Sequence, residues 1–175
     1  MGHIVIVSGP PGAGKSTVAR MLAENSPYER SIHIHTDDFY GYIRKGYIEP
    51  WKPESNEQNI VVSNAMASCA ESFVGGGYEV FLDGIVGPWH LNSWVKTSQC
   101  GINVHYVILR PNLEMTISRN ANREKEVALN VITHMWNGFS DLGLYESHVI
   151  DTTGQSPEES VIEIRKMVSS ERLRI

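Results

Sequence analysis

The chain predicts a three-layer α/β fold in which a five-stranded parallel sheet carries helices on both faces. Two observations carry this. Short apolar runs alternate with stretches of helical spacing along all 175 residues, with no repeat or low-complexity segment between them, and such alternation belongs to strand-crossover-strand units. The first run, Ile4-Val5-Ile6-Val7, leads directly into Gly9-Pro10-Pro11-Gly12-Ala13-Gly14-Lys15-Ser16-Thr17. That stretch fills every fixed position of G-x-x-x-x-G-K-S/T between a strand and a helix, the context in which this spacing cradles phosphate.

Taken in order, the first strand covers about residues 3–8, and the first helix runs from Gly14 to about residue 25, stopped by Asn25 and Pro27. The second strand is 31–35. An irregular, aromatic-rich segment fills 38–54, and Ser55 with Gln58 then reads as a capping box for a long helix carrying Ile60, Val61, Ala65, Met66, Cys69 and Phe73. Gly75-Gly76-Gly77 stops that helix; a strand follows it and no helix does, so it is not a second phosphate loop. The third strand is 78–82, Pro88 opens a helix to about residue 99, and the fourth strand is 104–109. A helix from Leu113 leads into 119–126, another covers roughly 127–140, and the fifth strand is 148–150. The last helix starts at Ser156, with Pro157 in its first turn and Glu159 completing a second capping box.

In the phosphate loop, glycines let backbone N–H groups converge on phosphate oxygens at the positive end of the next helix. Lys15 adds a mobile cation for the β- and γ-phosphates, and the Ser16 hydroxyl suits Mg²⁺. Composition narrows the rest. The length is that of one domain with a single core, and a net charge of −5 with no block of Lys or Arg argues against a nucleic-acid partner. Cys69 and Cys100 sit in apolar helical stretches without metal or redox spacing, and read as buried thiols of a reducing compartment. A first strand near residue 3 leaves no room for a signal peptide, Ile6 breaks the myristoylation pattern, and no apolar run reaches the ~20 residues of a membrane span. A cytoplasmic protein without a membrane partner is expected, as a monomer or homodimer.

Ligands of such a sheet gather beyond the carboxyl ends of its strands. After the second strand comes Thr36-Asp37-Asp38. A carboxylate there faces the phosphate loop and can accept a hydrogen bond from a substrate hydroxyl; it can equally cap the next segment. Asp37 is the preferred acceptor residue, and Asp38 the cap or metal partner. Asp83-Gly84, after the third strand, is either a Mg²⁺-holding carboxylate or an Asx turn. Arg119 and Arg123 share a helix face, and either reach nucleotide and transferring phosphoryl group or form a solvated face with Glu126. Asp151-Thr152-Thr153-Gly154 either borders the adenine, with Thr153 as contact, or simply turns into the last helix. His33 and His35 read as packed or hydrogen-bonded strand residues rather than metal ligands. Phe39, Tyr40, Tyr42, Tyr47 and Trp51, with Arg44 and Lys45, and then Trp89, His90 and Trp94, crowd one edge of the sheet. Read as a pocket, they wall in a ring-bearing substrate through Tyr40, Trp51 and Trp89, with Arg44 for any anionic group.

From the phosphate loop through His35-Thr36-Asp37-Asp38 and Leu82-Asp83-Gly84 to Asp151-Thr152-Thr153-Gly154, the chain resembles the P-loop small-molecule kinases, and among them the chloramphenicol phosphotransferase-like group of bacterial kinases. The resemblance implies strand order 2-3-1-4-5, ATP and Mg²⁺ as cofactors, an acceptor-positioning Asp at Asp37 and lid arginines at Arg119 and Arg123. It divides the single domain 1–175 into an acceptor-side segment, 38–54, and a lid region, 119–126. The segment after the second strand lacks the pattern usual in monophosphate kinases, and the glycine cluster of shikimate kinases is absent, so the resemblance names no acceptor. The expectation is an ATP-dependent kinase acting on a hydroxyl of a small molecule. A regulatory ATPase with no acceptor and a nucleoside or nucleotide kinase are the alternatives.

Overall fold

The computed structural model describes residues 2–121 and 127–175. Five strands, β1 (Ile4–Ser8), β2 (Ser31–His35), β3 (Glu79–Asp83), β4 (Val104–Leu109) and β5 (Val149–Ile150), form one sheet in the order β2-β3-β1-β4-β5. All pairings are parallel. The order anticipated for a P-loop kinase is the one found.

Central strand β1 is buried at every position, as expected of a strand covered on both faces. Its alternation divides the core. Ile4 and Ile6 join Val62, Met66 and Ala70 of α3 (Asn56–Gly75) and Trp94 of α4 (Asn92–Gln99) on one face. Val5 and Val7 meet Val18, Ala19 and Leu22 of α1 (Lys15–Glu24) and Ile164, Met167 and Val168 of α7 (Pro157–Ser169) on the other. Truncating Ile6, which is fully buried, would cost about 2–5 kcal/mol.

The aromatic-rich segment is more ordered than its composition suggests. Its first residues continue β2 into a short helix, α2 (Thr36–Gly41), with Asp37 and Asp38 in the first turn. A 3₁₀ turn, Pro53–Ser55, precedes α3. The Ser55–Gln58 capping box does not form. Ser55 Oγ donates to Pro50 O (2.9 Å) and Lys52 O (2.7 Å), while the Gln58 amide bonds both backbone groups of Ile48, accepting from its N–H (2.8 Å) and donating to its carbonyl (2.6 Å). Asn59 Nδ2 donates to Pro50 O at 2.8 Å. These side chains fasten the preceding loop to α3 instead of capping it. The Ser156–Glu159 box does form.

Pro88 starts a 3₁₀ turn, Pro88–His90, before α4. Beyond β4 lie α5 (Leu113–Ala121) and α6 (Leu129–Gly138). Both cysteines depart from expectation: Cys69 is only partly buried and Cys100, just past the end of α4, is exposed. Among the described residues, no helix is long and apolar enough to cross a membrane.

Candidate active site

The site begins with the close approach of backbone to backbone around the phosphate loop. A Cβ at Gly9 would fall 2.1 Å from Leu109 O, and one at Gly12 2.7 Å from Thr116 O, and both residues hold positive φ (140° and 79°). Only glycine meets both demands. Helix α1 then starts with no side chain capping its first N–H groups and no acidic residue in its first turn. Such an uncapped, uncharged helix start suits an anion. Lys15 Nζ donates to Pro10 O at 2.9 Å, which folds the ammonium back over the loop.

Ser16 Oγ donates to Asp83 Oδ2 at 2.5 Å, joining the phosphate loop to the end of β3. Burial alone would raise the Asp83 carboxyl, but hydrogen bonds from His33 and Ser16 and the nearby imidazoles of His35 and His33 hold it below the usual range. A hydroxyl beside an ionised carboxylate is the oxygen-donor pair that Mg²⁺ takes, so these residues fit the ion that phosphate chemistry requires. His33 Nε2 is hydrogen-bonded to Asp83 Oδ1 at 2.6 Å, and His35 Nδ1 lies 2.9 Å from the same oxygen.

A cavity of about 380 Å³ lies over the loop, lined by Gly12 to Val18, Arg119, Thr152, Gln155, Pro157 and Ser160. Arg119 Nη2 donates to Thr152 O (2.9 Å) and Gln155 O (3.4 Å), which holds the guanidinium across from the phosphate loop. Thr153 does not line this cavity. Its hydroxyl accepts from Asn112 N (2.8 Å) and donates to Asp151 Oδ1 (2.5 Å), and the neighbour Thr152 takes the wall position, its Oγ1 buried without a hydrogen-bond partner. Arg123 and the lid segment's residues 122–126 lie outside the described residues.

A second and larger cavity, about 740 Å³, opens beyond β2 and β3. Asp37, Tyr40, Tyr47, Trp51, Trp89, His90 and Trp94 line it, joined by Asn59, Ser63 and Met66 of α3 and His134, Met135 and Phe139 at α6. Trp89 lies across the Cα of Gly87 and its ring is 6.0 Å from that of Phe139, so it bridges the loop after β3 to the end of α6. The loop is tied to the nucleotide side as well. Ser8 Oγ, one residue before the phosphate loop, donates to Val86 O (2.8 Å) and accepts from Val86 N (3.0 Å).

Three sequence candidates fall elsewhere. Arg44 is exposed and off the cavity wall, Asp38 is exposed in α2 and likewise off it, and Tyr42 is 69% exposed. Phe39 packs into the core. The α6 contribution was not legible, because His134 and Met135 carry no motif and reach the cavity only through the fold. Asn59 had a faint signal as a polar residue within an apolar helical stripe; it is buried and accepts from Tyr40 Oη at 3.1 Å.

Against known proteins, residues 4–142 match the family model described as AAA domain. A protein of Thermococcus onnurineus named "Putative adenylate kinase" is 31% identical over 173 residues, covering 95% of this chain and 84% of that protein. Among solved structures, a sugar kinase from Janibacter sp. HTCC2649 superimposes with a TM-score of 0.73 at 18% identity, over 97% of this chain and 95% of that one. A gluconokinase from Sinorhizobium meliloti 1021 gives a TM-score of 0.69 at 18% identity, over 98% and 93%.

Proposed function

The chain belongs to the AAA domain family of P-loop kinases, and from that premise we propose that it transfers the γ-phosphoryl group of ATP to a hydroxyl of a neutral, ring-bearing small molecule. One observation carries the choice of acceptor. Among the described residues, the wall of the 740 Å³ cavity bears one carboxylate, Asp37, and a set of aromatic rings, but no Arg or Lys. An acceptor that carries its own phosphate needs cations to hold it. A neutral alcohol needs only apolar walls and one group to receive its proton.

In this reading Asp37 orients the acceptor hydroxyl and takes its proton, while Tyr40, Trp51 and Trp89 stack on the acceptor ring. The loop from Gly9 to Thr17 holds the phosphates, Lys15 follows the transferring group, and Arg119 bounds the nucleotide. Ser16 and Asp83 would hold Mg²⁺, which when bound neutralises charge on the phosphate oxygens. The resemblance to chloramphenicol phosphotransferase-like kinases supports an alcohol acceptor; the name of the Thermococcus relative supports a nucleoside monophosphate.

A coupled ADP-release screen tests the proposal. Neutral sugars, nucleosides and aminoglycoside- or chloramphenicol-like antibiotics form one arm, and AMP, GMP and CMP the other, with Asp37→Asn as the blank. The expected result is turnover with a neutral alcohol that Asp37→Asn abolishes. Turnover confined to the monophosphates would make the protein a nucleotide kinase, and ATP hydrolysis that no compound stimulates would make it a regulatory ATPase.

A further inference from the structure

Two histidines and an aspartate bring three ligand-type atoms together at the end of the sheet. His33 and His35 are two apart on β2, so their side chains leave the same face, and the register sets His35 directly across from Asp83 on β3. His33 Nε2 lies 2.6 Å and His35 Nδ1 2.9 Å from one and the same oxygen, Asp83 Oδ1. One ligating atom from each of the three residues falls within 4.8 Å of the others. The side chain of Asp83 is 3% exposed, that of His33 17% and that of His35 45%, so the group is anchored in the core and open to solvent on one side.

We propose that His33 Nε2, His35 Nδ1 and Asp83 Oδ1 form a divalent-cation site for a first-row transition ion such as Zn²⁺ or Co²⁺, distinct from the Mg²⁺ position and sharing Asp83 with it. Two imidazoles select the ion. Mg²⁺ takes oxygen donors, whereas imidazole with carboxylate suits Zn²⁺, Co²⁺ and their neighbours. Zinc-to-ligand distances of about 2.0–2.2 Å in a tetrahedron put ligand atoms about 3.3 Å apart, so His33 Nε2 needs to draw back from Asp83 Oδ1 by about 0.7 Å and His35 Nδ1 by about 0.4 Å. His35, on the edge strand β2 and partly in solvent, has room to do so. Three protein ligands leave a position open, the arrangement of reactive rather than structural zinc. The other Asp83 oxygen already accepts from Ser16, which sets this site one carboxylate away from the phosphate loop. The inference does not depend on the kinase reading, because its test uses neither nucleotide nor acceptor.

The tautomers decide it. If the imidazoles only clamp Asp83, their protons sit on His33 Nε2 and His35 Nδ1. If they bind an ion, those nitrogens are bare and the protons sit on His33 Nδ1 and His35 Nε2. The experiment is a Zn²⁺ titration of the chelator-stripped full chain in excess Mg²⁺, followed by calorimetry and by ¹⁵N NMR of the imidazoles. The expected result is one equivalent of Zn²⁺ bound, both tautomers switched, and affinity at least about tenfold weaker in His33→Gln and in His35→Gln. Wild-type affinity in the two histidine variants, unchanged tautomers, or displacement of Zn²⁺ by Mg²⁺ would each overturn the proposal. A thermal melt of each variant confirms that it folds; His35→Gln, at the exposed position, is the safer of the two.

Discussion

Gly84→Ala isolates the acceptor side from the nucleotide side. A Cβ at Gly84 would fall 1.7 Å from Thr36 Oγ1, 2.8 Å from Thr36 Cβ and 2.9 Å from Thr36 Cγ2. Because ordinary contact begins near 3.4 Å, rotating Thr36 about χ1 merely exchanges one overlap for another, and the start of α2 must retreat. The backbone raises no objection, since Gly84 is not among the residues of positive φ, and the stiffer unfolded chain favours alanine by about 0.4–1 kcal/mol. Overpacking costs about 1–3 kcal/mol, so the net loss is centred on about 1.3 kcal/mol and reaches at most about 2.6 kcal/mol, or up to about 10 °C in Tm for a chain of this length. The effect on transfer is larger. Asp37 follows Thr36 directly, and a displacement of about 1 Å at a reacting group costs about 100-fold. Chemical denaturation, ATP calorimetry and ADP release with the acceptor found in the screen measure the three quantities. Reduced stability, unchanged ATP affinity and a deep loss of turnover are expected, while Gly75→Ala, with open space around its Cα, serves as control. Wild-type turnover, or ATP affinity lost in step with turnover, would refute the reasoning.

Lys15→Ala should lose Mg·ATP affinity by calorimetry with little change in the melting curve, because the ammonium folds back onto Pro10 O within the loop and lines the cavity over it rather than the core. Asp37→Asn should keep ATP binding and lose about 10²–10⁴-fold in transfer, while Asp38→Asn, exposed and off the cavity wall, should lose far less; the reverse order would move the acceptor role to Asp38. His105 is buried in β4 and its pKa is lowered to about 4 by burial, with the charges of His3 and Arg174 adding to it. A histidine held below its unfolded value contributes stability that is present above about pH 6.5 and lost as pH falls toward 4. Urea denaturation at pH 7 and pH 5 should therefore show a decline in wild type that His105→Gln lessens, and an identical decline in both would reject it.

The central strand β1 was legible because a strand covered on both faces requires an unbroken apolar run, the edge strand β2 by its alternation of Ile and His, and the phosphate loop because three glycines, a lysine and a hydroxyl must follow one such run. Asp83 was legible as the polar end of such a run. Partners across the chain were not. Ser55 and Gln58 have capping-box spacing, but whether their polar atoms turn to the helix or to a passing loop depends on where Ile48 and Pro50 come to lie. Thr152 and Thr153 differ by one position in a turn, and which of them faces the nucleotide cavity follows from Asn112 offering its N–H to Thr153. Arg44 looked like an anion contact by proximity to Asp37 in sequence, but it stands exposed between Ile43 and Tyr47, which line the cavity while it does not.

The bonds that fasten the loop to α3 have an implication for how the acceptor could change. Gln58 holds Ile48 by its N–H and carbonyl, and Asn59 and Ser55 hold Pro50 by its carbonyl. All of these grip main-chain atoms, so the clasp is indifferent to which side chains the loop displays. Residues 44–52, beyond the core contact of Ile43, are therefore expected to behave as a replaceable cassette: Tyr47 and Trp51 can be exchanged for rings or polar groups of other shapes while the buckle, the phosphate loop and the Ser16–Asp83 junction stay as they are. Libraries built in that stretch alone, with Gln58, Asn59 and Ser55 kept, are the economical route to altered acceptor selectivity on this scaffold.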